Sequence, residues 1–145
     1  MKVDGRCHCG SITYEAEVDP EKVVVCHCTD CQSLSGTAFR SAVPTMPDTF
    51  RLLSGTPKVY VKTAESGNQR TQTFCPDCGS PIYSGPASAD ATVLSLRVGT
   101  LRQRDQLAPR DQFWSRSAQA WLQNIASIHS HEKQPVFDPK GGFGR

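Results

Sequence analysis

The stretch Arg70-Thr71-Gln72-Thr73-Phe74-Cys75-Pro76-Asp77-Cys78-Gly79 reads as a strand that runs into a metal knuckle. Cys-x-x-Cys turns the chain tightly enough to bring two sulfurs onto one ion, and the following glycine supplies the positive φ of the turn. Two more clusters precede it, Cys7-His8-Cys9-Gly10 and Cys26-His27-Cys28-Thr29-Asp30-Cys31. In an extended strand residues i and i+2 share a face. Cys7 and Cys9 are therefore expected to point one way and His8 the other, and likewise Cys26 and Cys28 against His27. Neither histidine is expected to be a ligand.

Seven cysteines in 145 residues is an odd count, so a pure disulfide framework would leave one thiol over. No stretch near Met1 reads as a signal peptide, and no run approaches the roughly 18 apolar residues of a membrane helix. A cytoplasmic protein is expected, in which clustered cysteines bind metal or do redox chemistry. Zinc closes at four ligands, which makes four plus three the natural division. Cys7 and Cys9 with Cys75 and Cys78 would close one structural site. Cys26, Cys28 and Cys31 would hold a second ion with one position open, the pattern of catalytic zinc. A ribbon-like site from Cys28, Cys31, Cys75 and Cys78 is the alternative, though it leaves three cysteines unexplained. A thioredoxin-like redox pair would need a βαβ context that is missing here.

Hydrophobic residues make up 37% of the chain, a low share for one domain, so a metal staple is in keeping with the composition. The formal charge is +2. Two Zn²⁺ on seven thiolates would contribute +4 against −7 and bring the loaded protein to −1, which does not suggest a nucleic-acid surface. Arg97, Arg102, Arg104, Arg110 and Arg116 form a local excess that reads first as a solvated face.

The first two-thirds reads as short strands, so the expected fold is mainly β, a small antiparallel domain with one or two short helices. Ile12 to Val18 alternates at strand period, and Lys22–Cys26, Thr37–Val43, Thr49–Leu53, Lys58–Thr63 and Arg70–Phe74 follow between turn signals. Thr92–Leu101 is the longest strand expected. A single helical turn is predicted from Thr29, with Gly36 ending it, and a short helix over Ser117–Ile125. Trp114 and Trp121 are expected in the core or as cleft walls, and His129 and His131 at the surface. Residues 1–132 would form the domain, and 133–145 a flexible tail.

The three clusters with their neighbours Gly5-Arg6, Tyr14, Gly36 and Phe74 resemble the glutathione-dependent formaldehyde-activating enzyme family, which includes centromere-protein-V-like proteins. Val98-Gly99-Thr100-Leu101, Pro109, Phe113-Trp114 and Trp121 add to the resemblance, which covers roughly residues 3 to 122. It implies a zinc-pinned β-tent, structural zinc at Cys7, Cys9, Cys75 and Cys78, and catalytic zinc at Cys26, Cys28 and Cys31. It also implies a carbon–sulfur lyase that joins glutathione and formaldehyde as S-hydroxymethylglutathione, a detoxification reaction. Gln112 stands where the family often has a histidine. A related enzyme using another thiol, or a zinc-stabilised binding module, are the other readings.

A free thiol near pKa 8.5 is only a few per cent thiolate at neutral pH, which is why such a reaction would use a metal with an open position. Zinc on three thiolates already carries a net negative charge, so the three-cysteine ion is expected to be readily lost. Glutathione carries two carboxylates, for which Arg40, Arg97 and Arg110 are the candidate partners. No membrane or nucleic-acid partner is expected.

Overall fold

A computed structural model describes residues 1–143. The first unit is a three-stranded sheet in the order β1-β2-β5, made of β1 (Lys2–Arg6), β2 (Thr13–Glu17) and β5 (Arg51–Ser54). Tyr14 and Ala16 on β2 point inward and are joined by Ile12 and Val18 at its ends, as the period-2 pattern predicts. Gly5 lies opposite Tyr14 across the β1–β2 pair. A β-carbon at Gly5 would sit 2.3 Å from Tyr14 Cζ, so the tyrosine ring occupies space that only a glycine leaves.

The larger sheet has seven strands in the order β10-β3-β4-β9-β8-β7-β6. These are β3 (Val24–Cys26), β4 (Arg40–Pro44), β6 (Lys58–Thr63), β7 (Gln69–Phe74), β8 (Pro81–Pro86), β9 (Ser95–Arg97) and β10 (Asp111–Phe113). Every pair is antiparallel except β10 with β3, which run parallel. Val25, Val43 and Leu96 are buried, and Val43 and Leu96 belong to the main core with Ile82, Leu101 and Leu107. Their strand neighbours Cys26, Arg40 and Arg97 lie on the opposite face.

The mainly β expectation holds, and the differences have local causes. The strand expected over Thr92–Leu101 shrinks to Ser95–Arg97, because Val98–Thr100 winds into a 3-10 turn closed by Leu101 N–H on Val98 C=O at 3.0 Å. Helix α1 spans Thr29–Ser35, longer than the single turn expected, and ends on Gly36 in the left-handed conformation, as predicted. Its cap is Cys28 rather than Thr29, with the sulfur accepting from Cys31 N–H. The helix expected over Ser117–Ile125 is a 3-10 stretch, Ala120–Ser127, that buries nothing. Three residues per turn leave no broad apolar stripe. Trp121 is accordingly half exposed, which rules out the core, one of the two places expected for it. Beyond it, β11 (Phe137–Asp138) pairs with β12 (Gly142–Phe143) inside the segment expected as a tail. Residues 144–145 of that segment lie outside the described residues.

Candidate metal centres and the hollow beside them

Two groups of cysteines are gathered so that their sulfurs lie within 4.8 Å of one another: Cys7, Cys9, Cys75 and Cys78, and Cys26, Cys28 and Cys31. A ribbon-like pairing of Cys28 and Cys31 with Cys75 and Cys78 is not what the fold assembles. Bonds of 2.3 Å in a tetrahedron place sulfurs about 3.8 Å apart. Cys7 and Cys9 Sγ are 3.5 Å apart, and Cys9 and Cys75 Sγ 3.8 Å, so the four-thiol group fits a zinc-sized ion.

The four-thiol group joins the turn after β1 to the turn between β7 and β8. Gly79, at φ 75°, closes the second turn with its N–H on Cys75 C=O at 2.9 Å, as the Cys-x-x-Cys-Gly pattern predicts. The first turn departs from expectation. Cys7 leaves the end of β1, but His8 and Cys9 form a turn closed by Gly10 N–H on Cys7 C=O, so the i, i+2 strand rule does not apply there. Ser11 Oγ lies 3.3 Å from Cys9 Sγ and 3.4 Å from Cys75 Sγ. Ser80 Oγ lies 3.2 Å from Cys78 Sγ and accepts the His8 N–H. The Ser80 hydroxyl and neighbouring backbone N–H groups pull the Cys78 thiol down to about 5. Sequence reasoning missed both serines, although each follows a cysteine of its cluster by two residues.

The three-thiol group is built from one continuous segment. Cys26 ends β3, Cys28 is extended, and Cys31 lies in the first turn of α1, so strand and helix cap together fold three sulfurs onto one point. His27 points the other way, as strand geometry predicts. It is 3% exposed, with Nε2 2.9 Å from Gln112 Oε1 on β10 and its backbone N–H on Phe113 C=O. Burial pushes the Cys31 thiol up to about 12 and raises Cys26. At Cys28 burial also pulls upward, but the Cys31 N–H, the neighbouring thiols and Lys62 outweigh it and the thiol is lowered. A donor set of one acidified and two reluctant thiols, three in all, suits a cation and lacks the fourth thiol that closes the other group.

These thiols open onto a hollow of about 320 Å³ over the outer face of the seven-stranded sheet. Arg40 and Arg97, both 6% exposed, line it, and Arg40 Nη1 and Arg97 Nη2 donate to the same oxygen, Gln72 Oε1, at 2.8 and 3.0 Å. Arg70 and Lys62 also reach the hollow, and Trp114 forms part of its wall. Burial, then the charge of Arg40, pushes the Arg97 guanidinium down to about 9. Arg110 is not in this group: it pairs with Glu21 at 3.0 Å, outside the lining. Arg102 pairs with Asp4 and Arg116 with Glu65, so most of the arginine run is solvated, and Arg97 is its buried exception. Gln72 could not be read as a site residue, because the register that sets it below two arginines is a tertiary fact.

The family described as glutathione-dependent formaldehyde-activating enzyme matches residues 2–117. No curated protein matches the chain. Among solved structures the chain is similar to the crystal structure of a Rhodobacter sphaeroides protein. The TM-score is 0.57 and the identity 19%, over 75% of this chain and 98% of that one. At that identity the likeness speaks for the fold.

Proposed function

The chain belongs to the glutathione-dependent formaldehyde-activating enzyme family, and from that premise we propose that it is a cytoplasmic, zinc-dependent carbon–sulfur lyase acting on thiol–aldehyde adducts. The favoured reaction is reversible formation of S-hydroxymethylglutathione. A sulfur–carbon bond forms, the carbonyl π pair moves to oxygen, and the thiol proton ends on that oxygen. Nothing is oxidised or reduced, and no further reactant is needed.

The observation that carries the reading is the contrast between the two cysteine groups. Four thiols in closed array join two turns of the fold, while three thiols face a hollow lined by cations. Zinc held by Cys26, Cys28 and Cys31 would supply an acidifying position for a fourth sulfur. The chain's own residues do the rest. Arg40 and Arg97 hold a substrate carboxylate, fixing the thiol's orientation before the aldehyde arrives. Trp114 and Leu34 wall the hollow and limit water near the reacting carbon. Nucleic acid and membrane are not among the proposed partners, and no helix of the described residues is long and apolar enough to cross a membrane.

Zinc per chain, measured on gently purified protein beside Cys28→Ala, tests the division of ligands. About two ions falling to about one, with the circular dichroism spectrum unchanged, is expected. The same two proteins are then compared by NMR exchange between formaldehyde, glutathione and their adduct. The unaltered protein should speed the exchange and Cys28→Ala should not. Equal exchange rates in two folded proteins would reduce the chain to a zinc-stabilised binding module.

A further inference from the structure

Arg40 and Arg97 are two buried cations with no acid beside them among the described residues. Both hang on the single oxygen of Gln72, both leave Nε without a partner, and no Asp or Glu is found among the residues lining the hollow. Burying an unpaired charge is costly, and burying two side by side is more so. The three thiols do not cancel the pair. Three thiolates around a divalent ion carry a net −1, which leaves the pair one positive charge; Arg70 adds another and Lys62 is paired with Asp30, so the hollow keeps a positive excess that a carboxylate relieves. An Arg fork suits a carboxylate because it donates two parallel bonds.

The same two arginines and Gln72 also line a second hollow, of about 480 Å³, that continues over the sheet away from the thiols. Its character is different. Val59 and Tyr60 of β6, with Phe74, Pro81, Tyr83 and Leu34, give it mostly apolar walls. Formaldehyde has one carbon and glutathione is polar along its length, so neither uses such a space.

We propose that Arg40, Arg97 and the adjoining apolar hollow form a binding site for a monocarboxylate with a hydrocarbon arm, so that the thiol substrates extend to carboxylate-bearing thiols that carry an apolar arm beside the carboxylate. The carboxylate sits on the arginine pair, with the reacting end toward Cys26, Cys28 and Cys31 and the arm along Val59, Tyr60 and Phe74. This deepens the proposed function, since the thiol end lies at the same cysteines. The binding site itself is testable without any turnover.

The test is calorimetric titration of the zinc-loaded protein with acetate, butyrate and hexanoate, with hexanol as the uncharged control. Affinity should rise about two- to fourfold for each added methylene, and hexanol should bind at least about tenfold more weakly than hexanoate. Arg97→Gln and Arg40→Gln should each weaken hexanoate about tenfold or more, and Tyr60→Ser, at a half-exposed position, should flatten the chain-length series. Equal affinity for acetate and hexanoate, or for hexanol and hexanoate, would overturn the proposal. So would full hexanoate affinity in a folded arginine variant. If an arginine variant does not fold, the chain-length series on the unaltered protein decides. A failed series beside normal adduct exchange with formaldehyde and glutathione removes the apolar site alone. A normal series without any adduct exchange removes the lyase reading and leaves the carboxylate site standing.

Discussion

Single residues set how firmly the four-thiol group holds a cation. Cys78 is pulled down to about 5 by the Ser80 hydroxyl first and by backbone N–H groups after it. A thiol with a lowered pKa stays deprotonated to lower pH, so metal is kept until the solution is more acidic. Ser80→Ala removes the first of those donors, and its acid titration of zinc release should move to higher pH than in the unaltered protein. A coincident release curve would show that the backbone donors suffice. Gly5 makes a different kind of demand. The 2.3 Å approach of a β-carbon to Tyr14 Cζ cannot be absorbed by a ring that is fully buried and whose hydroxyl is bonded to Thr100 Oγ1 at 2.7 Å. Gly5→Ala should cost about 2–3 kcal/mol in denaturant unfolding. Tyr14→Leu in the same chain should recover part of that loss, and a simple sum of the two costs would mean the clash lies elsewhere.

At the scale of elements, the three-thiol group depends on β10, a three-residue strand that sequence patterning does not reveal. Asp111-Gln112-Phe113 has no run of alternation, and its parallel partner β3 is more than eighty residues away in sequence. The pairing is nonetheless what turns His27 away from the sulfurs, through Gln112 Oε1 on Nε2 and Phe113 C=O on its N–H. Gln112→Ala would leave both ring nitrogens of a buried histidine without partners, since Nδ1 already has none. It should lower stability by about 1–3 kcal/mol and deplete zinc from the three-cysteine group while leaving the other ion in place. Metal analysis beside denaturant unfolding checks both parts. The contrast with β2, β6 and β7 is instructive. Those strands were legible because alternation and turn residues are local signals. The Cys-x-x-Cys-Gly knuckle and the Gly36 end of α1 were legible for the same reason. The short strand at Ser95, the burial of Arg97 and the shared oxygen of Gln72 follow from register across the sheet, which local spacing does not encode.

For the whole molecule, the seven-stranded sheet uses one face for the core and the other for the thiols and arginines, and the second use lowers stability. Arg97 is held at about 9 by burial and by Arg40, against 12.5 for a free guanidinium. Its folded pKa lies below its unfolded one. Between those two values the unfolded chain binds more protons, so this group's contribution to stability rises with pH through that window. Below pH 9 the penalty is present in full, which includes neutral pH. Arg97→Met, which keeps the stem and removes the charge, should therefore raise the denaturant midpoint at pH 7 by the equivalent of about 1–3 kcal/mol. Because other side chains also titrate at alkaline pH, the informative quantity is the difference between variant and unaltered protein. That difference should be largest below pH 9 and shrink from pH 9 to pH 11. It should also shrink at pH 7 when hexanoate is added, because a bound carboxylate neutralises the same charge and stabilises only the chain that has it. A difference that stays constant across both series would mean that the buried guanidinium is already compensated within the fold, and that the hollow has no need of an anion.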